Sequence, residues 1–127
     1  MSLRISSFYN LNYQEGSKTI YEVKKIACLL DQQTICIMDF LKTSNTVFNH
    51  TDHIDFLELN MKGNLLIFRD KKAKLHLFDV YTQTRKTLLS SCSYVQWVPD
   101  SDTIVAQQCQ QMFVWYDPRS FDKVNRV

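Results

Sequence analysis

At 127 residues and 15.0 kDa the chain holds material for one domain, since domains run from about 50 to 250 residues. Apolar residues at 45%, aromatics at 13% and charged residues at 22% suffice for a buried core and argue against disorder. The net charge of +2 and a pI near 8.3 fall short of the basic footprint of a nucleic-acid binder, for which a pI above ~9 is usual, so no nucleic-acid partner is expected.

Three further absences narrow the class. The apolar run Ile26 to Leu30 is far shorter than the ~20 residues of a membrane-spanning helix. The opening Met1-Ser2-Leu3-Arg4 has no basic stretch leading into a long apolar run, so no secretory signal is expected, and four cysteines without one point to a reducing compartment. With Gly 2 and Pro 2, collagen-like and linker-like sequence is excluded.

In chain order, short stretches rich in β-branched and aromatic residues read as strands. They are Lys25 to Leu30, Thr34 to Asp39, Thr46 to Asn49, Ile54 to Leu59, Asn64 to Arg69, Lys74 to Asp79, Thr84 to Leu89, Ser93 to Val98, Thr103 to Gln107 and Met112 to Trp115. Turn residues separate them at Asp31-Gln32-Gln33, Thr43-Ser44-Asn45, Lys62-Gly63-Asn64 and Pro99-Asp100-Ser101-Asp102. Helix periodicity fits poorly, and the spacing is that of an antiparallel meander.

Aligning the strand ends Ile37-Met38-Asp39, Leu77-Phe78-Asp79 and Val114-Trp115-Tyr116 gives steps of roughly 40 and 37 residues, close to the ~40–45 of a WD-repeat blade. In the middle period Asn49-His50-Thr51-Asp52 stands where the blade's Gly-His opening falls, Gly63 where its turn glycine falls, and Phe78-Asp79 where Trp-Asp falls. Met38-Asp39 and Trp115 take the Trp-Asp site in the first and third periods. The fold expected is therefore all-β: about three four-stranded antiparallel blades, forming part of a β-propeller over 1–127. The approximate blades are 13–49 (partial), 50–90 and 91–127, with Arg4 to Asn12 the last strand of a preceding blade. Propellers close with four to eight blades, so self-association through exposed blade faces is expected.

Catalytic and metal chemistry find little support. Gly16 and Gly63 alone cannot build a glycine-rich phosphate loop. His50 and His53 lie downstream of Cys28 and Cys36, but the cysteine spacing is too wide for a structural zinc pair, and no metal or cofactor is expected. Cys92 or Cys109 with His50, His53 or His76 would need an oxyanion pocket that nothing in the sequence marks. Asp52, Asp55 and Glu58 read as solvated edges. In WD blades the histidine of the opening links to an aspartate in the turn between the second and third strands, here Asp70, so His50 and Asp70 are expected to be structural. The one local charge excess is Arg69, Lys71, Lys72 and Lys74 around Asp70, read as a solvated hairpin turn or a basic patch for an acidic partner or anionic lipid surface.

Several runs go beyond what a blade requires. Lys24 to Asp31, Asp55-Phe56-Leu57-Glu58-Leu59-Asn60, Leu66-Ile67-Phe68-Arg69-Asp70-Lys71-Lys72 and Cys92-Ser93-Tyr94-Val95-Gln96-Trp97-Val98-Pro99 resemble the propeller region of the intraflagellar transport protein 172 family, the large complex B subunit of ciliary transport trains. The resemblance implies a non-catalytic scaffold of the cilium or flagellum and cytoplasm, needed for cilium assembly. Its partners would be other intraflagellar transport proteins or cargo, with contact to a membrane surface. The competing expectation is a propeller adaptor of a vesicle-coat or trafficking complex that binds peptides or lipid headgroups.

Overall fold

The computed structural model describes residues 4–15, 18–119 and 125–126, with side chains over 25–119. Among the described residues, twelve strands form three four-stranded antiparallel sheets. The first contains β1 (Arg4–Glu15), β2 (Lys18–Asp31), β3 (Thr34–Asp39) and β4 (Ser44–Asn49). The second contains β5 (Ile54–Leu59), β6 (Leu65–Asp70), β7 (Leu75–Asp79) and β8 (Thr84–Leu89). The third contains β9 (Tyr94–Trp97), β10 (Ile104–Gln108), β11 (Gln111–Trp115) and β12 (Asn125–Arg126). Each sheet is a simple meander in chain order, the form of a propeller blade.

One expectation is corrected. Arg4 to Asn12 does not close a preceding blade: β1 pairs with β2 in a register that runs from Arg4 opposite Leu29 to Glu15 opposite Lys18. The described residues of β1 therefore belong to the same four-stranded sheet as β2, β3 and β4. The terminal strand β12 was also unanticipated, because Asn125-Arg126 lacks apolar character.

The alternation of side chains along each strand builds two separate cores. Leu66, Phe68 and Phe78 of the second blade pack against Ala27, Leu29, Ile35 and Ile37 of the first. Leu65, Ile67, Leu75 and Leu77 turn the other way and pack against Val95, Trp97, Ile104, Ala106, Phe113 and Trp115 of the third. This two-sided burial explains why β6 and β7 read as nearly continuous apolar runs, whereas the outer strands β4 and β8 are largely exposed. Phe78 and Trp115, at 3% and 1% exposure, occupy equivalent sites, each facing the preceding blade.

With few glycines, the turns rely on other residues in the left-handed region. Thr43 and Gln83 (φ 49° and 57°) close the last hairpins of blades one and two. Gly63 and Asp100 (φ 71° and 60°) occupy the first turns of blades two and three, and Ala73 and Cys109 (φ 65° and 55°) their middle turns. The pairs recur at the blade repeat. Asp39 Oδ1 accepts the amides of Leu41 and Lys42, and Asp79 Oδ1 those of Tyr81 and Thr82, so the aspartate at each strand end organises the turn that follows.

Candidate functional site

The segment from His50 to His53 joins the first blade to the second. It is strapped at both ends, by His50 N to Gln33 O (2.8 Å) and by Lys71 N to His53 O (2.8 Å). This fixes His50 above the end of β6, where its Nε2 lies 2.8 Å from Asp70 Oδ2. His76 arrives at the same oxygen from β7, with Nε2 at 3.0 Å. Asp70 Oδ1 accepts the amides of Lys72 and Lys74 at 3.0 and 3.1 Å. One carboxylate, 1% exposed, thus organises its own turn and two imidazoles.

The electrostatics follow from burial and partners. Burial opposes the charged form of Asp70, but the bonds from His50, His76 and the Lys74 amide outweigh it and hold the pKa down at about 2. Burial lowers the pKa of His76, aided by the charges at His50 and Arg85, against the upward pull of Asp70. His76 is therefore neutral near pH 7. It donates from Nε2 to Asp70 and accepts the Thr87 hydroxyl at Nδ1, 3.1 Å away. His50 Nδ1 faces the Arg85 guanidinium at 3.4 Å, a group that can only donate.

These three side chains have ligand atoms within 4.8 Å of one another, a spacing that could hold a metal ion. The donor set does not fit one. A metal on His50 Nε2 would move the ring proton to Nδ1, against the Arg85 donors, whereas ligating imidazoles need an acceptor there. The three side chains form one hydrogen-bonded network at the junction of the first two blades.

His76 was not singled out for this role from sequence. The available signal was the alternation of β7, which puts His76 on the same face as Phe78, toward the first blade, where a buried imidazole must find a partner. Lys25 was missed too. It is 5% exposed, donates Nζ to Gly63 O at 2.9 Å across the blade junction, lies 3.9 Å from Asp39 and sits 4.9 Å from the Tyr81 ring centroid.

The other sequence candidates separate. Met38 is half-buried at the site equivalent to Phe78. Cys28 and Cys36 face each other across β2 and β3, away from the histidines' shared oxygen, and burial pushes both thiol pKa values up. Burial also pushes up the Cys92 thiol, which donates to Tyr94 O. Cys109 and His53 are exposed. Arg69 turns inward, pairing with Asp55 at 3.0 Å and donating to Ser93 O, so it ties the second blade to the third. Lys71, Lys72 and Lys74 remain outward on the turn, with Lys72 3.4 Å from Asp52.

Four-stranded meanders stacked through alternating faces, with a histidine and an aspartate bonded at the blade junction, define WD-type propeller blades. No protein-family model matches the chain. Individual proteins do: it is 49% identical over 115 residues, 87% of its length, to intraflagellar transport protein 172 of Chlamydomonas reinhardtii. It is 47% and 40% identical over 121 residues, 94% of its length, to the homologues of that protein from Danio rerio and Homo sapiens. The chain belongs to the intraflagellar transport protein 172 family. It spans 6 to 7% of the length of these relatives.

Proposed function

We propose that the chain is a non-catalytic interaction module of the intraflagellar transport machinery, required for cilium assembly, forming part of a β-propeller over 1–127. It works in the cilium or flagellum with a cytoplasmic pool, and its partners are other intraflagellar transport proteins or cargo. The observation that carries this reading is the 40 to 49% identity, over most of the chain, to proteins named for that transport. The chemistry of the buried polar groups agrees with it, because His50, Asp70 and His76 use their hydrogen-bonding atoms on one another and on the blade turns. In this reading Met38, Asp39, Phe78, Asp79 and Trp115 serve as blade-packing and turn residues. Affinity capture from a ciliated-cell extract with the tagged chain is the test. Recovery of complex B transport proteins supports the proposal, and recovery of vesicle-coat components in their place refutes it in favour of a trafficking adaptor.

A membrane-facing role draws on one observation, the three exposed lysines Lys71, Lys72 and Lys74 on a single turn. Near an anionic leaflet each contributes about 1 kcal/mol of attraction. Co-sedimentation with phosphatidylserine vesicles, lost on reversing the charge of all three, would establish it.

A further inference from the structure

Glu58 stands near the end of β5 with its charge poorly answered. Leu57 and Leu59 pack toward the first blade, so strand alternation aims Glu58, together with Phe56, at the third. Its carbonyl accepts the Trp97 indole N–H at 3.0 Å across that junction. The expectation of a solvated edge is corrected, because the fold leaves Glu58 half-buried. Burial pushes its carboxyl pKa up, and the opposing bond from the Trp97 main-chain amide does not cancel the effect. Among the described residues no cation pairs with it.

Glu58 borders a cavity of about 290 Å³, close to the lower end of the usual range for ligand pockets, about 300–1,000 Å³. Met61, Trp97, Val98, Pro99 and Asp100 line the rest of it. Trp97 belongs to the core between the second and third blades and serves only as a wall. Met61 and Val98 are half-buried, Pro99 is exposed, and all three stand outside both cores, so their apolar surface is still available. Asp100, exposed in the turn between β9 and β10 at φ 60°, adds a second carboxylate. A hard divalent cation, which takes six or more oxygen ligands, finds too few here. The chemistry that fits is one cation carried on a long apolar stem.

We propose that this cavity takes an arginine side chain from a basic peptide segment, its stem against Met61, Val98 and Pro99, its guanidinium on Glu58, and Asp100 beside the flanking residues. The chain's net charge of +2 gives a basic peptide no general attraction, so binding must come from this local pair of carboxylates. The proposal rests on the reading of the chain as an interaction module and gives one of its partners a chemistry.

The test is an NMR titration of the isotope-labelled 127-residue chain with acetyl-Gly-Lys-Gly-Arg-Gly-Lys-Gly-amide, followed at the indole signals of Trp97 and Trp115. The Trp97 signal should move saturably, while that of Trp115, 1% exposed, stays in place. Affinity should fall at least about tenfold with Glu58→Gln and with norleucine in place of the peptide arginine, which keeps an apolar stem and removes the charge. Asp52→Asn, at the other end of β5, should leave it unchanged. Because the norleucine peptide is read on the unaltered chain, the test stays decisive if Glu58→Gln fails to fold. Absence of a saturable Trp97 shift overturns the proposal, as does full binding of the norleucine peptide or equal loss with Asp52→Asn. Spermidine binding as tightly as the peptide would assign the site to a small polyamine and refute the peptide. Capture of transport proteins reads the whole chain and the titration reads only this cavity, so each can fail without the other.

Discussion

Lys25 of the first blade donates its ammonium to the carbonyl of Gly63 in the second, 2.9 Å away, from a position only 5% exposed. Few residues are costlier to bury than lysine, and this one is held by a carbonyl, the Asp39 carboxylate and the face of Tyr81 together. Replacing it with methionine keeps the volume but orphans Gly63 O and Asp39. Lys25→Met should lower unfolding stability by about 1–3 kcal/mol. An unchanged urea midpoint would show that the bond adds nothing to the junction.

His50→Ala removes one of the two imidazoles on Asp70 Oδ2 and should cost about 1–3 kcal/mol. His50→Asn, which keeps a donor of shorter reach, should recover part of the loss. Unfolding of His50→Ala indistinguishable from the parent would reject a structural role for the pair.

Stability should fall with acid in two steps. The folded pKa of His76 lies below its ordinary 6.5, so the unfolded chain binds the proton more tightly. The stability contributed by neutral His76 is complete above pH 6.5 and is lost as pH falls through the region just below. Asp70, held near 2 against an ordinary 3.8, adds of order 2 kcal/mol above pH 4 that disappears between about 4 and 2. Denaturation midpoints taken at intervals from pH 7.5 to 2.5 should show both slopes, and His76→Gln should abolish the upper one alone. A flat profile from pH 7 to 5 would contradict the neutral imidazole.

Ala73 adopts φ 65° in the middle turn of the second blade, a conformation that costs a residue with a β-carbon about 1–2 kcal/mol relative to glycine. Part of that relief is offset by the greater flexibility of glycine in the unfolded chain. Ala73→Gly should stabilise the protein by about 0.5–1 kcal/mol, read as a higher thermal midpoint. Destabilisation would mean that the methyl group packs in a way that outweighs its strain.

The far faces of the outer blades offer half-buried Met38 on one side and Val105, Met112 and Val114 on the other. Apolar strand faces of this kind drive association. Light scattering of the isolated chain at micromolar concentration should report species above 15.0 kDa. A monodisperse monomer with one cooperative transition would indicate that the chain covers its own faces.

The blade pattern was legible because Phe78, Trp115 and the strand ends repeat, and burial enforces that repeat. The turns were harder to read. Thr43, Ala73, Gln83, Asp100 and Cys109 take conformations usually signalled by glycine, imposed here by the pairing of the strands on either side. The burial of Lys25 was not legible, since its partner is a main-chain carbonyl 38 positions away that no side-chain pattern announces. Arg69 reads as one of a basic cluster until the fold turns it toward Asp55.

Leu66 and Ile67 are adjacent in β6, yet one touches the first blade and the other the third. The middle sheet is therefore a common wall whose two surfaces cannot shift separately. A displacement of the first blade that tilts β6 must alter the packing of Trp97 and Trp115 on the far side, within the same few ångströms of backbone. The indole fluorescence of those two residues, both on the third blade, is the measurement that would register such a tilt.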